Sequence, residues 1–276
     1  MIPKPTHWSG SYGAWFKDPG IVDAYHLRPP YPTETFELLA SLAVAEPQVV
    51  LDAGAGAGDI ARELVPHVAR IDAVDFSPGM IENGKRRTNG DHPNLRWIQG
   101  AVEDAPLARS YALITAGESL HWMAWDVVMP RFAEILTPNG VLAIVERGWG
   151  IADNKTLSER LVPIYGQYGA SRDYQPTDLV AELTLRGLFQ TLGSKAIPPR
   201  PWRPTLDEYV GVHHSQRSFS PERMGPDSVV AFDAAVRETI DDLCREGVIR
   251  VRDGRLELSV WAKVTWGKPL NRKFGG

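Results

Sequence analysis

The stretch VVLDAGAGAGD, residues 49–59, decides the fold class of this chain. Its first three residues form an apolar run, which is typical of a strand buried on both faces of a parallel sheet. Ile60, Leu64 and Val68 follow at helical spacing. Glycines between a strand and a helix let a ligand approach bare backbone, and the start of the helix offers N–H groups to an anionic group. The stretch therefore predicts a strand, a ligand-binding turn and a helix.

A second apolar strand ends in an acid, within the sequence IDAVDFSPGM at residues 71–80. The carboxylate of Asp75 can accept both hydroxyls of a ribose. An acid about 20 residues after the glycines also belongs to the dinucleotide fingerprint, so a nicotinamide or flavin cofactor is an alternative. The glycine spacing disfavours it, because Asp59 stands where G-x-G-x-x-G has its third glycine. Asp52 would also repel a pyrophosphate, whereas it suits the cationic amino group of an amino-acid tail.

Residues 25–148 resemble the class I S-adenosylmethionine-dependent methyltransferases, and the resemblance extends more weakly to Trp266. It implies that the glycine turn holds the methionine tail of S-adenosylmethionine and that Asp75 holds the ribose. It also implies that the segment IQGAVEDAPL, residues 98–107, lies along the adenine edge. It implies Gly54, Gly56 and Asp75 directly, with Phe76 and Met80 beside the adenine. The full set of predicted cofactor-binding residues is Arg28, Asp52, Gly54, Ala55, Gly56, Asp75, Phe76, Met80, Val102, Glu103 and Ala116.

A His-Trp pair ends the segment LITAGESLHW, residues 113–122, just beyond the fourth predicted strand. Together with YHLRPPYP at residues 25–32, it resembles the small-molecule methyltransferases that include the trans-aconitate and ubiquinone-type enzymes. Ligands of open α/β sheets bind outside the carboxyl ends of the strands, so we expect Glu118 and His121 to face the crevice. The guanidinium of Arg28 can grip the carboxylate of methionine or of an acidic acceptor.

The resemblance implies a direct displacement, in which an acceptor oxygen, nitrogen or carbon attacks the methyl carbon and S-adenosylhomocysteine leaves. The protein then supplies mainly alignment and a dry pocket. His121 is the predicted base if the acceptor must lose a proton, with a packed core histidine as the alternative. The predicted substrate-binding residues are Tyr12, Trp15, Tyr31, Glu118, Trp122, His213 and His214.

Two positions depart from the family pattern. Ala101 and Ala112 stand where the family often has acids, so the adenine amino group would be held by Glu103 or by backbone. A protein of the same fold that binds the cofactor without methyl transfer, as a sensor or in another natural-product reaction, is therefore an alternative.

Composition favours an enzyme that acts on a small molecule. The chain has 276 residues, of which 43% are hydrophobic, enough to bury a substantial core. Its net charge is −4, which gives no indication of the clustered basic face typical of nucleic-acid-binding proteins. The single cysteine, Cys244, excludes an intramolecular disulfide, and no metal site is predicted.

No apolar run approaches about 18 residues and the first 20 residues lack a signal-peptide centre, so we predict no membrane segment and a cytoplasmic location.

The alternation of strands and helices predicts an α/β, doubly wound seven-stranded sheet with an antiparallel last strand. We divide the chain into an N-terminal lid (1–32), a cofactor-binding core (33–148), and a helical cap with the last strands (149–276). Cap helices are predicted at 206–214 and 228–246, and the sixth strand at 194–197. The Asp253-Gly254 dipeptide predicts a hairpin that pairs residues 248–251 with the last strand.

Overall fold

The computed structural model describes residues 4–8, 13–152, 154–170 and 177–271. Its strands, in chain order, are β1 (Val49–Ala53), β2 (Arg70–Asp75), β3 (Leu95–Gln99), β4 (Tyr111–Gly117), β5 (Leu136–Gly150), β6 (Phe189–Trp202), β7 (Val251–Arg252), β8 (Arg255–Leu256) and β9 (Leu258–Pro269). Seven of them form one sheet in the order β3-β2-β1-β4-β5-β9-β6. Strand β9 runs antiparallel to both β5 and β6, whereas β1 to β5 are parallel. The predicted doubly wound sheet with an antiparallel last strand is confirmed.

The helices connect these strands and extend beyond them. They are α1 (Pro19–Ala24), α2 (Thr33–Leu42), α3 (Ala61–Leu64), α4 (Pro78–Lys85), α5 (Trp125–Ile135), α6 (Thr156–Tyr168), α7 (Leu179–Leu185), α8 (Leu206–His213), α9 (Pro221–Met224) and α10 (Pro226–Arg245). Short 3-10 turns cover Thr6–Trp8, Ala14–Lys17, Tyr25–Leu27, Val65–His67, Leu120–Trp122 and Arg217–Phe219. Within the described ranges, no helix combines the length and the apolar character needed to cross a membrane.

The central strands are buried on both faces, as the apolar run at the start of β1 predicts. Val50 packs in one hydrophobic cluster and Leu51 in another, because successive side chains of a strand point to opposite faces. Neither of these side chains is exposed to solvent. Burial on both faces places ligand binding at the strand ends rather than on the sheet surface.

Two features of the strands differ from the prediction. Strand β6 extends from Phe189 to Trp202, well beyond the predicted 194–197, and it includes Pro198, Pro199 and Pro201. It lies at the edge of the sheet, where a proline need not donate a ladder hydrogen bond, and its pairing shifts register between Ile197 and Arg200. The turn at Asp253 (φ 52°) and Gly254 (φ 73°) does form a hairpin, but it joins β7 to β8. The expected pairing with the last strand is wrong, because β9 pairs with β5 and β6.

A second core lies among α6, α8 and α10, and the last two agree with the predicted cap helices to within two residues. Phe232 and Val236 of α10 are fully buried there. The N-terminal segment bonds to the neighbouring α9: Arg223 Nε lies 2.8 Å from Asp18 Oδ2, and the N–H of Gly20 donates to Glu222. Residues far apart in sequence therefore meet over the strand ends.

Candidate functional site

A cavity of about 650 Å³ lies at the carboxyl ends of β1, β2 and β4. We call it the main cavity. Its floor includes Gly54 and Gly56 of the glycine turn, and Gly117 at the end of β4. Phe16 and Tyr25 line it from the N-terminal segment. Parallel strands end at the same edge of the sheet, which is why residues from three strands converge here.

The two turn glycines leave bare backbone because a side chain would not fit. Gly54 has φ +69° and Gly56 has φ +57°, a region that L-residues rarely adopt. A Cβ on Gly54 would lie 2.6 Å from Ser119 Cβ, and one on Gly56 would lie 2.8 Å from the Tyr25 hydroxyl. The glycines are therefore required both by backbone conformation and by close approach.

Asp75 ends β2 and lines the main cavity, as predicted for the ribose-binding acid. Its Oδ2 accepts the N–H of Gly56 and its Oδ1 accepts the N–H of Ser77, both at 2.8 Å. Burial raises the pKa of Asp75 to about 6, against the lowering effect of these two hydrogen bonds. The two bonds fix the carboxylate, and each oxygen keeps a lone pair for a ligand hydroxyl.

Asp52 does not line the main cavity. Its carboxylate accepts the hydroxyl of Thr115 at 2.8 Å and the N–H of Ala61 at 3.2 Å. It borders a narrow pocket of about 10 Å³, together with Tyr31 and Arg147. Burial raises the pKa of Asp52 to about 7. The side chain holds the start of α3, so the predicted direct contact with the cofactor tail is not retained.

The other predicted cofactor residues divide between the cavities. Phe76, Met80, Val102 and Glu103 line the main cavity, Ala55 lines the narrow pocket, and Ala116 lines neither.

Arg28 also lines the main cavity, and hydrogen bonds to Ser215 and Tyr25 hold its guanidinium. Its Nε donates to the Ser215 hydroxyl at 3.0 Å and its Nη2 to the Ser215 carbonyl at 2.6 Å. Its Nη1 donates to the Tyr25 hydroxyl at 3.2 Å. The guanidinium is thus oriented before any ligand binds.

A second cavity, of about 330 Å³, adjoins the main cavity. Trp8, Ala116, His121 and Leu179 contribute to its lining. The His121 ring packs against Trp122, with ring centroids 4.3 Å apart. Burial, followed by the positive charges of Lys4 and Arg217, lowers the pKa of His121 to about 3. The ring is therefore neutral at neutral pH. His121 lines the second cavity and not the main one.

Glu118 and Ser119 line both cavities and so form their shared wall. Glu118 has φ +53°, and its Oε1 accepts the N–H of Arg147 at 3.0 Å. Its side chain lines both cavities, where loss of solvation raises the pKa of its carboxyl. The structure thus brings Glu118 to the crevice where the sequence places it.

The predicted aromatic substrate residues have different surroundings. Trp122 lines the main cavity, and its buried indole N–H has no hydrogen-bond partner among the residues that the structure describes. Tyr31 is buried beneath Arg147, whose guanidinium lies 4.4 Å from the ring centroid. Trp15 packs against Arg223, 4.8 Å from its ring, and lines none of the three cavities. Tyr12 lies outside the described residues.

His213 and His214 are not at the site. His213 Nε2 lies 2.8 Å from the Tyr165 hydroxyl, inside the core formed by α6, α8 and α10. His214 Nε2 lies 2.9 Å from Asp233 Oδ1. Both side chains are buried and neither borders the cavities described above, so they are left out of the proposed acceptor site.

Sequence reasoning missed Tyr25 and Arg147 as site residues. Tyr25 begins the YHLRPPYP motif, which could have indicated it. Arg147 is buried, and its Nη1 lies 3.2 Å from Asp59 Oδ2 across 88 residues of sequence. No local pattern indicates such a pairing.

Comparisons with known proteins agree with this geometry. Residues 50–140 match a family model described as a methyltransferase domain. A malonyl-[acyl-carrier protein] O-methyltransferase of Halalkalibacterium halodurans is 36% identical over 106 residues, which cover 35% of this chain and 38% of the relative. A trans-aconitate 2-methyltransferase of Methylobacterium nodulans is 32% identical over 111 residues, which cover 39% of this chain and 42% of the relative. The chain thus spans less than half the length of either relative.

A solved structure from Anaeromyxobacter dehalogenans, titled as a proposed type II methyltransferase, has the same fold. It aligns over 87% of this chain and 97% of its own, with 22% identity and a TM-score of 0.63. The matched domain includes the glycine turn, Asp75, and the shared wall formed by Glu118 and Ser119. Residues 50–140 therefore match a methyltransferase domain, and the sheet order and glycine turn have the fold of the class I S-adenosylmethionine-dependent methyltransferases.

Proposed function

We propose that this protein transfers a methyl group from S-adenosylmethionine to a small-molecule acceptor by direct displacement. The methyl donor would occupy the main cavity and the acceptor the second cavity. The observation that carries the proposal is the shared wall: Glu118 and Ser119 border both cavities beyond the end of β4. A transfer reaction needs two ligand sites that touch at the reacting atoms.

The residues of the main cavity fit the donor. Asp75 offers two fixed acceptor oxygens to the ribose hydroxyls, and the bare turn at Gly54 and Gly56 leaves room for the methionine tail. Arg28 offers its guanidinium to the methionine carboxylate. Phe76 and Val102 offer apolar surface to the adenine ring. A volume of about 650 Å³ lies within the range of small-molecule cofactor sites.

The donor supplies a methyl carbon activated by its bond to a positively charged sulfur. The side chains of this chain orient the two ligands and limit the access of water. Phe16 and Tyr25 line the main cavity from the N-terminal side, and Trp8 lines the second cavity, so these rings take up space that water would otherwise fill. Water excluded in this way cannot compete as the methyl acceptor.

His121 is the proposed proton acceptor for an acceptor that must lose a proton. It lines the second cavity, and its neutral ring offers one unprotonated nitrogen. Its pKa of about 3 reflects burial and neighbouring cations. A negatively charged group on a bound acceptor beside the ring would raise that pKa and strengthen the base.

The remaining assignments rest on sequence alone. We propose a cytoplasmic location because the sequence has no long apolar run, and a small molecule rather than nucleic acid as the partner because the net charge is −4. The acceptor names of the relatives, malonyl-[acyl-carrier protein] and trans-aconitate, suggest an acidic acceptor as the first class to assay.

Thermal unfolding with S-adenosylhomocysteine tests the cofactor site. A ligand that binds only the folded state at about 100 times its Kd adds about 2.7 kcal/mol, which raises the Tm of a chain of this size by about 5–10 °C. We expect this shift for the wild type and its loss in Asp75→Ala. Asp126→Ala, at an exposed acid on α5, is the matched control and should keep the shift.

Methyl transfer is then measured directly. The protein is incubated with S-adenosylmethionine and a panel of carboxylates, phenols and amines, and S-adenosylhomocysteine and methylated products are quantified by mass spectrometry. Product that requires the protein and Asp75 supports the proposal. Absence of any Tm shift at saturating S-adenosylhomocysteine contradicts it.

A further inference from the structure

We propose that Glu118 sets the charge selectivity of the cofactor site, raising the affinity for the positively charged methyl donor relative to its neutral product. The inference rests on the proposed function and concerns one side chain of that site. It assigns Glu118 as a specificity-determining residue for the donor, in addition to its place in the cavity wall.

The position of Glu118 is the first argument. It follows Gly117, the last residue of β4, and borders the main cavity, the narrow pocket and the second cavity. It is a non-glycine residue in the left-handed region, with φ +53°. Backbone strain of this kind persists where the surrounding structure holds it, and it often occurs at ligand sites.

The balance of charges is the second argument. Arg147 lies beside Glu118, but its guanidinium is 3.2 Å from Asp59 and stacks 4.4 Å from the Tyr31 ring. The guanidinium of Arg28 donates hydrogen bonds to the hydroxyl and the carbonyl of Ser215. In the described part of the chain, no lysine or arginine forms an ion pair with Glu118 within 4.0 Å. Oε1 accepts the Arg147 N–H, and Oε2 has no protein partner among these residues.

The third argument concerns where the donor's positive charge must lie. The sulfur links the ribose, which Asp75 would hold, to the amino-acid tail, which the glycine turn would hold, and in a methyl transfer its methyl group would face the acceptor. The wall between the two cavities consists of Glu118 and Ser119. The Ser119 hydroxyl is committed to the Ala53 carbonyl at 2.6 Å, which leaves Glu118 as the charged group of that wall.

Calorimetric titration of Glu118→Gln with S-adenosylmethionine and with S-adenosylhomocysteine tests the inference without any acceptor. Both ligands share the adenosine and the amino-acid tail, and they differ in the charge on sulfur. Glutamine keeps the shape and can still accept the Arg147 N–H. A charge pair near a protein interior contributes enough that we expect the Kd of S-adenosylmethionine to rise by at least about tenfold, with the Kd of S-adenosylhomocysteine within about twofold.

Glu146→Gln is the matched control, because Glu146 borders the second cavity and not the main one. It should leave both dissociation constants within about twofold. Glu118→Asp keeps the negative charge and should keep the wild-type ratio of the two constants, which supplies a second readout should Glu118→Gln fold poorly.

The outcomes are separable. Equal weakening of both ligands by Glu118→Gln would mean that the carboxylate holds a part that they share, and it would overturn the inference. An unchanged ratio in a folded Glu118→Gln would also overturn it. A wild type that binds neither ligand would contradict the proposed function itself.

Discussion

Replacing Gly56 by alanine tests the contact between the glycine turn and the N-terminal segment. A Cβ at this position would lie 2.8 Å from the Tyr25 hydroxyl and 3.3 Å from its ring carbon Cζ. Gly56 also has φ +57°. The left-handed conformation costs a residue with a side chain about 1–2 kcal/mol. Overpacking costs about 1–3 kcal/mol more. We therefore expect Gly56→Ala to lower the free energy of unfolding by about 2–5 kcal/mol.

Two further variants separate the cost of the left-handed backbone from the cost of overpacking. Gly247 has φ +74°, and no atom of the described residues lies within 4 Å of an added Cβ, so Gly247→Ala should carry only the backbone cost of about 1–2 kcal/mol. Tyr25→Phe removes the atom that the new Cβ would meet. Combined with Gly56→Ala in a double-mutant cycle, it should recover about 1 kcal/mol. The Tyr25→Phe single variant measures the cost of losing the hydrogen bond from Arg28 to the Tyr25 hydroxyl.

The measurement is equilibrium unfolding in urea, followed by titration with S-adenosylhomocysteine. If Gly56→Ala is no more costly than Gly247→Ala, or if the cycle shows no coupling to Tyr25, the close approach of the segment to the turn is wrong. The Kd for S-adenosylhomocysteine should rise in Gly56→Ala and stay unchanged in Gly247→Ala, because Gly247 lies outside the three cavities described above.

Two other predictions concern the histidines. His213→Ala should lower the free energy of unfolding by about 2–4 kcal/mol by emptying a buried site, and a change in the Kd for S-adenosylhomocysteine would contradict its placement away from the site. The NMR signals of His121 should show no titration between about pH 5 and 8. Because its pKa is lowered to about 3, the folded state disfavours its protonation, so its contribution to stability is complete above about 6.5 and declines as pH falls below that value. His121→Gln should therefore lose less stability on acidification than the wild type, and a larger loss would contradict the stated burial.

Much of the core was predictable because its signals are local. The apolar run of β1, the glycines after it and Asp75 at the end of β2 stand within one short stretch, and parallel strands bring their ends to one edge. The same argument places Glu118 beyond β4. These predictions depend on periodicity and on chain direction, which the order of residues already contains.

The amino-acid sequence by itself determined the doubly wound sheet with its antiparallel last strand and the glycines of the turn, and its resemblance to a known family gave the class of cofactor. Only the tertiary structure decided which way each polar side chain points. Asp52 turns to Thr115 and α3, His213 turns into the core among α6, α8 and α10, and Arg28 is held by Ser215, 187 residues away in sequence. The reason is that a buried polar group takes whichever partner the packing of distant segments brings within hydrogen-bond distance, and that packing has no local sequence signal.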